Sequence, residues 1–304
     1  MLEKLLKNKT FTILAAIFCC ALWGISTPIV KIGYSYVDET HVPSLILWLG
    51  LEFIFAGFLT VLFYSATLKR FVYPKKKNVK GVIIVSLLQT VLQYSLMYVG
   101  LSNTTSVKGA ILKSTDVFFV ALIASLLFRL EKLTAKKLIS CIIGFAGIIV
   151  MNLDGLGLSF SWGDGLLILG IIAYSFSLIM IKLFSRDEDP IALSGYQMTL
   201  GGVVMLLIGA ILGGKIDFVG MLPVFVGLGV IYAVSYTLWT VLLKYNSASS
   251  ITIYSFTTPV FGVIFSSFLL DEKGGVAPLN LGIALILVCL GIIVWGYERK
   301  DKVS

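Results

Sequence analysis

The sequence predicts an all-α membrane protein with ten transmembrane helices in two inverted five-helix repeats and with both termini in the cytoplasm. Three observations support this prediction: the composition, ten long apolar runs and an internal repeat. Of the 304 residues, 58% are hydrophobic and only 13% are charged, and the mean hydropathy is +0.98. A soluble domain of this size needs a charged surface, which this composition does not provide.

Ten apolar runs are long enough, or nearly long enough, to cross a bilayer as helices. A helix needs about 20 residues to cross a hydrocarbon core about 30 Å thick. The first run is too long to be a removed signal peptide. In chain order, the predicted spans are 11–30, 43–64, 80–101, 107–128, 135–152, 163–183, 190–212, 220–242, 248–270 and 279–297.

The second half of the chain repeats the first. The tetrapeptide Gly-Ile-Ile-Val at 147–150 recurs at 291–294, and 106–134 aligns without gaps on 247–275. We therefore divide the chain into two five-helix domains, 1–153 and 154–304. Because five is an odd number, the second domain enters the membrane from the opposite side. Inverted repeats of this kind build secondary transporters, which bind solute near the midplane where the halves meet.

The basic residues indicate the orientation. With the amino terminus inside, nineteen Lys and Arg residues fall in cytoplasmic segments and four in external ones. This positive-inside bias places both termini in the cytoplasm. The cluster at 69–80 then sets the topology and is placed to touch anionic lipid headgroups. Because the net charge of +8 is distributed in this way, we expect the lipid bilayer as a partner and no nucleic acid.

Residue patterns for metal binding or catalysis are missing from the sequence. The four cysteines lie inside predicted spans without a CxxC pair, which argues against a disulfide framework or a zinc site. The only histidine, His41, falls in an external loop, and no HExxH or phosphate-binding loop motif occurs. We expect no cofactor, no metal and no enzymatic activity. An intramembrane enzyme with Glu52 as a lone acid is a remote alternative, and so is a channel.

Three charged residues fall near the middle of predicted spans, away from the span ends: Glu52 in the second, and Lys113 and Asp116 in the fourth. Each such charge costs roughly 2.5–3.5 kcal/mol on insertion scales, so it should face a cavity or a partner. Lys113 and Asp116 are three residues apart and should share one helical face. One interpretation is structural, either a self-neutralising pair or a Glu52–Lys113 bridge. The other is a substrate or proton site, because burying ions for structure alone is rarely a net gain.

The balance of these charges suggests the kind of solute. Two carboxylates and one ammonium suit a solute that carries an amine, with Lys113 free to meet a carboxylate. Burial favours the neutral form of an unpaired carboxyl, which makes Glu52 the candidate for proton coupling. In the repeat, Lys113 aligns with Tyr254 and Glu52 with Gln197, so the ionic site belongs to the first half alone.

Polar and aromatic residues recur at helical spacing on the spans that should meet at the centre. Packing is the alternative for any one of them, since small polar groups join membrane helices and aromatic rings fill bundles. Trp48 and Trp162 are expected to be packing or interface residues. The neutral candidates for substrate binding are Trp23, Gln89, Gln93, Tyr94, Tyr174, Ser177, Tyr236, Trp239 and Tyr254.

Several short motifs carry a resemblance to a known family. They are Ala21-Leu22-Trp23-Gly24, the approach to Glu131, Pro259-Val260-Phe261 followed by Asp271-Glu272, and the glycines Gly144, Gly147, Gly282 and Gly291. Together with the repeat, they resemble the EamA type of the drug/metabolite transporter superfamily over essentially the whole chain. The resemblance implies that spans one, three, six and eight line a central cavity, that four and nine cross near it, and that five and ten are peripheral.

We therefore expect a secondary active transporter of small organic solutes, an amino acid or an amine-containing metabolite. The expected mode is efflux or exchange by alternating access, with proton coupling as one option. Uptake of a cationic or quaternary ammonium compound is the alternative. The expected location is the cell membrane, as a multi-pass protein of a prokaryotic plasma membrane, and a homodimer is left open.

Overall fold

The computed structural model describes residues 8–38, 40–101, 103–104, 106–153, 160–270 and 278–298. Within these residues every regular element is helical. The long helices are α1 (Lys9–Gly33), α2 (Val42–Leu68), α3 (Lys76–Leu101), α4 (Ser106–Lys113, Asp116–Leu122 and Ile123–Leu127), α5 (Ala135–Met151), α6 (Trp162–Phe184), α7 (Pro190–Ile211), α8 (Phe218–Tyr245), α9 (Ala248–Leu269) and α10 (Pro278–Glu298). Both termini, the loop at Asp154, and Asp271 with Glu272 lie outside the described residues.

Eight of these helices are long and apolar enough to cross a membrane: α1 to α4 and α6 to α9. The α10 helix adds a shorter apolar stretch, Leu279–Trp295. The α5 helix has only 17 residues, and at 1.5 Å per residue it is a little shorter than a core of about 30 Å. The prediction of an all-helical, multi-pass membrane protein is confirmed, whereas ten spans and cytoplasmic termini stay predictions.

The helices begin where the local sequence supplies capping groups. The side chain of Asn8 accepts from the first amides of α1, and Thr134 and Asp217 do the same for α5 and α8. Ser161 and Asp164 form a capping box at the start of α6, in which each side chain binds the backbone of the other. Such caps satisfy amides that have no partner within the helix.

Three helices change their winding inside the bundle. A π-helical stretch, Ser86–Leu92, lies inside α3. The α4 helix is interrupted by a turn at 114–115, and α9 contains a 3-10 stretch, Ile253–Phe256. The repeat alignment matches 114 with 255, so α4 and α9 change their winding at equivalent positions.

The helices pack with the symmetry of the repeat. The α1 helix packs on α8 and α9, and its equivalent α6 packs on α3 and α4. Contacts of α2 with α8 are matched by contacts of α7 with α3. Two further contacts, α2–α7 and α5–α10, join equivalent helices directly. This two-repeat arrangement brings α1, α3, α6 and α8 together, as the resemblance implies for a central cavity.

The core consists of two hydrophobic clusters, and one side chain contacts both. The first cluster contains Tyr174, Trp239 and Tyr254. The second contains Tyr94 and Tyr236. Trp23 packs against both clusters, so it lies where they meet.

Close backbone contacts hold some of these helices together. A Cβ atom on Gly24 of α1 would lie 2.5 Å from Cβ of Phe261 and 2.9 Å from the backbone nitrogen of Gly262, both on α9. Likewise, a Cβ on Gly50 of α2 would lie 2.9 Å from the carbonyl oxygen of Gly202 on α7. Glycine is required at these positions because a larger residue would push the backbones apart.

Candidate functional site

An aromatic layer joins α1, α2, α3 and α8 in the middle of the bundle. The Trp23 ring centroid lies 5.5 Å from that of Tyr236 and 4.9 Å from that of Trp239. The Tyr236 hydroxyl is hydrogen-bonded to the Tyr94 hydroxyl, and the Tyr94 ring lies 4.8 Å from the Phe53 ring. Four candidate residues from three separate helices are therefore in direct contact.

Several candidate residues carry buried polar atoms that find no partner among the described protein atoms. Removing a polar group from water without a hydrogen bond costs about 1–3 kcal/mol, so such groups need an explanation. A solute-binding site supplies one, because its polar groups are paired by the solute or by water. These atoms include Nε1 of Trp23 and of Trp239, both side-chain polar atoms of Gln89, Oε1 of Gln93, Oε2 of Glu52 and Oδ1 of Asp116.

Glu52 is buried at 1% exposure and has one hydrogen-bond donor, the indole Nε1 of Trp48. Among the described residues, no ion pair joins Glu52 to Lys113 or any other cation within 4.0 Å. A Glu52–Lys113 bridge, one of the structural interpretations, is therefore absent from this structure.

Lys113 and Asp116 lie on opposite sides of the turn at 114–115 in α4. Lys113 is exposed, and its Nζ lies 5.1 Å from the ring centroid of the buried Tyr174. Asp116 is 3% exposed. Among the described residues, no ion pair within 4.0 Å joins the two, although they attract each other electrostatically.

The α4 helix is interrupted by a turn between Lys113 and Asp116, and their sharing of one helical face stays a prediction. A self-neutralising contact pair is not formed. Lys113 is exposed beside the buried Tyr174 ring, whereas Asp116 is buried.

The repeat equivalents of the charged residues have partners. Gln197 of α7 accepts a hydrogen bond of 3.0 Å from the Thr90 hydroxyl on α3. Tyr254 is buried, and its carbonyl accepts from the Cys20 thiol at 3.2 Å. The second half therefore pairs Gln197 internally at the position where the first half leaves one oxygen of Glu52 without a described donor.

One candidate uses its polar group inside its own helix. The Ser177 hydroxyl donates to the Tyr174 carbonyl at 2.6 Å, as expected for a hydroxyl that serves helix packing. The α3 amides differ from it, since Gln89 and Gln93 are both 2% exposed and retain unpartnered atoms.

Trp48 is the residue whose role the sequence reasoning missed. It is buried as expected for packing, but it is also the hydrogen-bond donor to Glu52. The signal was the spacing: residues four apart on a helix lie on the same face. Trp162, by contrast, is 62% exposed, as expected for an interface residue.

One end of the bundle, which we call the basic end, is tied together across all four of its connections. Glu188, between α6 and α7, accepts hydrogen bonds from the Lys75 amide at 2.8 Å and from Asn78 Nδ2 at 3.0 Å. Lys244, near the end of α8, donates to the Glu188 carbonyl at 2.9 Å. Glu131, after α4, is hydrogen-bonded to Ser249 at the start of α9.

At the opposite end, the described connections form two separate groups. The Asp217 amide donates to the Tyr36 carbonyl at 3.1 Å, which links the α7–α8 and α1–α2 connections. Lys108 and Asp164, whose side chains approach to 3.6 Å, link α4 to α6. No hydrogen bond or ion pair identified between described residues joins the two groups.

An open cavity of about 740 Å³ lies beside the first of these groups. Asp38 on its wall accepts hydrogen bonds from the Thr40 hydroxyl and amide. These bonds favour the ionised carboxylate, so the pKa of Asp38 is below its ordinary value. The cavity is lined by Ser35, Tyr36, Val37, Asp38, His41, Ser44, Gly213, Lys215, Ile216 and Asp217.

The sequence profile of the EamA-like transporter family matches this chain twice, at residues 10–153 and 161–296. The chain belongs to the EamA-like transporter family. The resemblance identified from the motifs is thereby confirmed. Its relatives are transporters, which agrees with a membrane transporter rather than an enzyme.

Relatives of the chain occur in bacteria, archaea and plants. An uncharacterized transporter of Bacillus subtilis, YvbV, is 28% identical over 97% of this chain and 94% of its own length. An uncharacterized transporter of Methanothermobacter thermautotrophicus is 26% identical over 74% of this chain and 67% of its own. A chloroplastic WAT1-related protein of Arabidopsis thaliana is 26% identical over 64% of this chain and 49% of its own.

One crystal structure has the same fold as this family member. It covers 98% of this chain and 100% of its own, with a TM-score of 0.76 and 14% sequence identity. At this identity the likeness shows the fold alone.

Proposed function

We propose that this EamA family member is a secondary active transporter of small organic solutes that carry an amine, working by alternating access. The observation that carries the proposal is the set of unpartnered polar atoms on α1, α2, α3, α4 and α8 around the aromatic layer. The proposed topology has ten spans in two inverted domains, 1–153 and 154–304, with both termini in the cytoplasm of a prokaryotic cell.

The charges around the site support an aminated or zwitterionic solute. Asp116 is a buried acceptor with an unpartnered oxygen, and Glu52 is a second one. Lys113 is the single ammonium near the middle of a predicted span. A solute ammonium next to Asp116 would neutralise a buried carboxylate, which is costly to leave unpaired. The twelve residues proposed from the sequence remain the proposed binding set. Within this set, Ser177 contributes through the packing of α6, because its hydroxyl donates to the Tyr174 carbonyl.

Glu52 is proposed as the group that couples transport to protons. A buried carboxyl with one neutral donor and no nearby cation gains or loses a proton at little structural cost, since Trp48 holds its orientation in either state. Binding a proton there changes the charge of the site by one unit. Transport would then respond to a proton gradient, as in efflux or exchange.

Alternating access is supported by the difference between the two ends. The hydrogen bonds of the basic end cross between the halves, for instance from Glu131 to Ser249. The opposite end is held in two groups among the described residues. Hydrogen bonds that cross between the halves at one end, as found among the described residues of the basic end, suit one of the two states that such transporters alternate between.

A cationic or quaternary ammonium solute is the second candidate, because the aromatic layer favours it. Cations bind over the faces of Trp and Tyr rings, and Trp23, Tyr94 and Tyr236 are grouped there. A quaternary ammonium compound has no proton to donate to Asp116, so it would depend on the rings more than on the carboxyl.

Counterflow in proteoliposomes tests the proposal and separates the candidates. The purified protein is reconstituted and preloaded in turn with amino acids, primary amines or quaternary ammonium compounds, and uptake of the labelled solute is followed. Saturable counterflow of amines or amino acids supports the proposal. Counterflow of quaternary compounds alone supports the second candidate, and flux without saturation indicates a channel.

A further inference from the structure

The indole rings of Trp23 and Trp239 form a contact that the proposed proton and amine sites do not explain. Their centroids are 4.9 Å apart in an edge-to-face arrangement. The Nε1–H of each ring is buried, and neither finds an acceptor among the described protein atoms. Two buried N–H donors on contacting rings, without an acceptor among the described protein atoms, indicate that a ligand or water supplies one.

The chemistry of these donors differs from that of the charged residues. An indole N–H only donates and does not ionise in the range where proteins function. Ser235, one turn earlier on α8, is fully buried, and its hydroxyl oxygen has no described partner either. A hydroxyl can also donate. This side of the aromatic layer is therefore rich in neutral donors, whereas Asp116 offers only acceptors when ionised.

The indoles and Tyr174 belong to the same part of the core. Tyr174 and Trp239 lie in one hydrophobic cluster with Val117, the residue that follows Asp116, and Trp23 packs against this cluster. The Tyr236 ring lies 5.5 Å from the Trp23 ring. A small molecule in this part of the core would thus meet both the acceptor oxygens of Asp116 and the neutral donors of the indoles.

We propose that the indole N–H groups of Trp23 and Trp239 form the carboxylate-binding subsite for the transported solute, with Asp116 receiving its ammonium group. This inference rests on the proposed function and narrows its substrate class to amino-acid-like zwitterions. A carboxylate has two oxygens and accepts two or more hydrogen bonds, which matches a pair of adjacent donors. Neutral donors hold it without burying a further charge, and bonds to a charged acceptor are stronger than neutral ones.

The assignment leaves Lys113 free for another task. Its side chain is exposed, and its ammonium lies 5.1 Å from the Tyr174 ring centroid. From that position it can attract a carboxylate toward the site, while the indoles hold the carboxylate once it is inside. Substitution of the indoles should therefore change the affinity for the carboxylate specifically.

Binding measurements on the purified full-length protein test this subsite. The probes are matched pairs that differ only in the carboxylate: L-phenylalanine with phenethylamine, L-leucine with isoamylamine and L-threonine with 1-aminopropan-2-ol. The variants are Trp23→Phe and Trp239→Phe, which keep an aromatic ring but remove the N–H. Trp162→Phe is the matched control, because Trp162 is 62% exposed. Kd values are measured by calorimetry for each pair.

We expect the unmodified protein to bind one of the amino acids more tightly than its amine. Each Phe variant should raise the Kd for the amino acid about tenfold, which corresponds to the loss of one hydrogen bond to a charged group. The Kd for the amine should change by less than about twofold, and this retained binding also shows that the variant is folded. The Trp162→Phe control should leave the Kd values of both members of the pair unchanged.

Other outcomes overturn the subsite in distinguishable ways. Equal weakening of amino acid and amine would mean that the indoles only shape the cavity, and no weakening would mean that their N–H groups hold water. If the unmodified protein binds amines as tightly as amino acids, the subsite is wrong while the proposed function stands; this comparison needs no variant to fold. If it binds neither class, the proposed function fails and the subsite fails with it.

Discussion

The indole Nε1 of Trp48 donates a hydrogen bond to Oε1 of Glu52, one helical turn further along α2, and both side chains are 1% exposed. The Trp48 ring also packs edge-on against Tyr34, with centroids 6.0 Å apart. Trp48 is therefore held by packing and in turn fixes the carboxyl. The second carboxyl oxygen of Glu52 is left without a described donor, available for a proton or a solute group.

Glu52→Gln should abolish proton-driven accumulation of an aminated solute while leaving the protein folded. The amide keeps the shape and the hydrogen bond from Trp48 but cannot exchange a proton. Accumulation in proteoliposomes with an imposed pH gradient measures this, and counterflow without a gradient reports on binding. Asp38→Asn, the same change at an exposed carboxyl, is the control and should transport normally. Normal transport by Glu52→Gln between about pH 5.5 and 8 would make Glu52 structural.

Lys113→Ala should destabilise the protein more than the double change Lys113→Ala with Asp116→Ala. Removing the ammonium alone leaves the buried Asp116 without the cation that attracts it. The second substitution removes that buried acid. We expect the single variant to unfold at a lower temperature than the double variant, measured by thermal unfolding in detergent. A double variant less stable than the single one would show that the attraction does not matter to folding.

Gly24→Ala should destabilise the protein by about 1–3 kcal/mol, the usual cost of overpacking a core. The added methyl would meet the α9 backbone at Gly262 and the Cβ of Phe261, and would push α1 away from α9. Gly227→Ala on α8 is the matched control, because no atom lies within 4 Å of its new Cβ. Thermal unfolding of both variants decides, and equal stability of the two would contradict the close contact.

Glu131→Ala should open the basic end. The substitution removes the ion pair with Lys137 at 3.0 Å and the hydrogen bond to Ser249 across the halves. A cysteine placed at the buried Ser250 should then react severalfold faster with a membrane-impermeant maleimide from that end. Lys77→Ala is the control, since its 3.9 Å pair with Asp187 is 66% and 72% exposed and contributes little. An unchanged labelling rate would show that contacts other than those of Glu131 keep the basic end closed.

The topology is tested by the side from which introduced cysteines react. Single cysteines placed at 70–80 should be labelled from the cytoplasm, and single cysteines in the loop around Asp154 from outside, as the positive-inside bias predicts. Intact cells with an impermeant reagent distinguish the sides, and inverted vesicles serve as the control. Labelling of both regions from the same side would refute the inverted arrangement.

The sequence predicted the helices well because membrane spans depend on local composition. It also pointed to Glu52, Lys113 and Asp116, since a charge inside an apolar run is visible without a fold. It did not predict the turn between Lys113 and Asp116, where neither Gly nor Pro occurs to signal a break.

Pairing across helices was also beyond the sequence. The repeat alignment made Glu52 and Gln197 equivalent, but only the packing of the helices shows that Thr90 hydrogen-bonds to Gln197 and not to Glu52. The contact of Trp23 with Trp239 joins residues more than 200 positions apart. Periodicity places each residue on a helical face, whereas the meeting of two faces depends on the whole bundle.

The close approach of α2 and α7 at Gly50 and Gly202 bears on how such a chain could arise by duplication and on where it could be cut into two fragments. The two helices are equivalent in the two repeats, and they pack directly against each other. Two separate molecules of a single five-helix unit could form this seam from one surface, as in a symmetric dimer. A gene duplication would then only have joined chains that already recognised each other. Cut at the α5–α6 connection, the two fragments retain both faces of the seam and should reassemble when produced together.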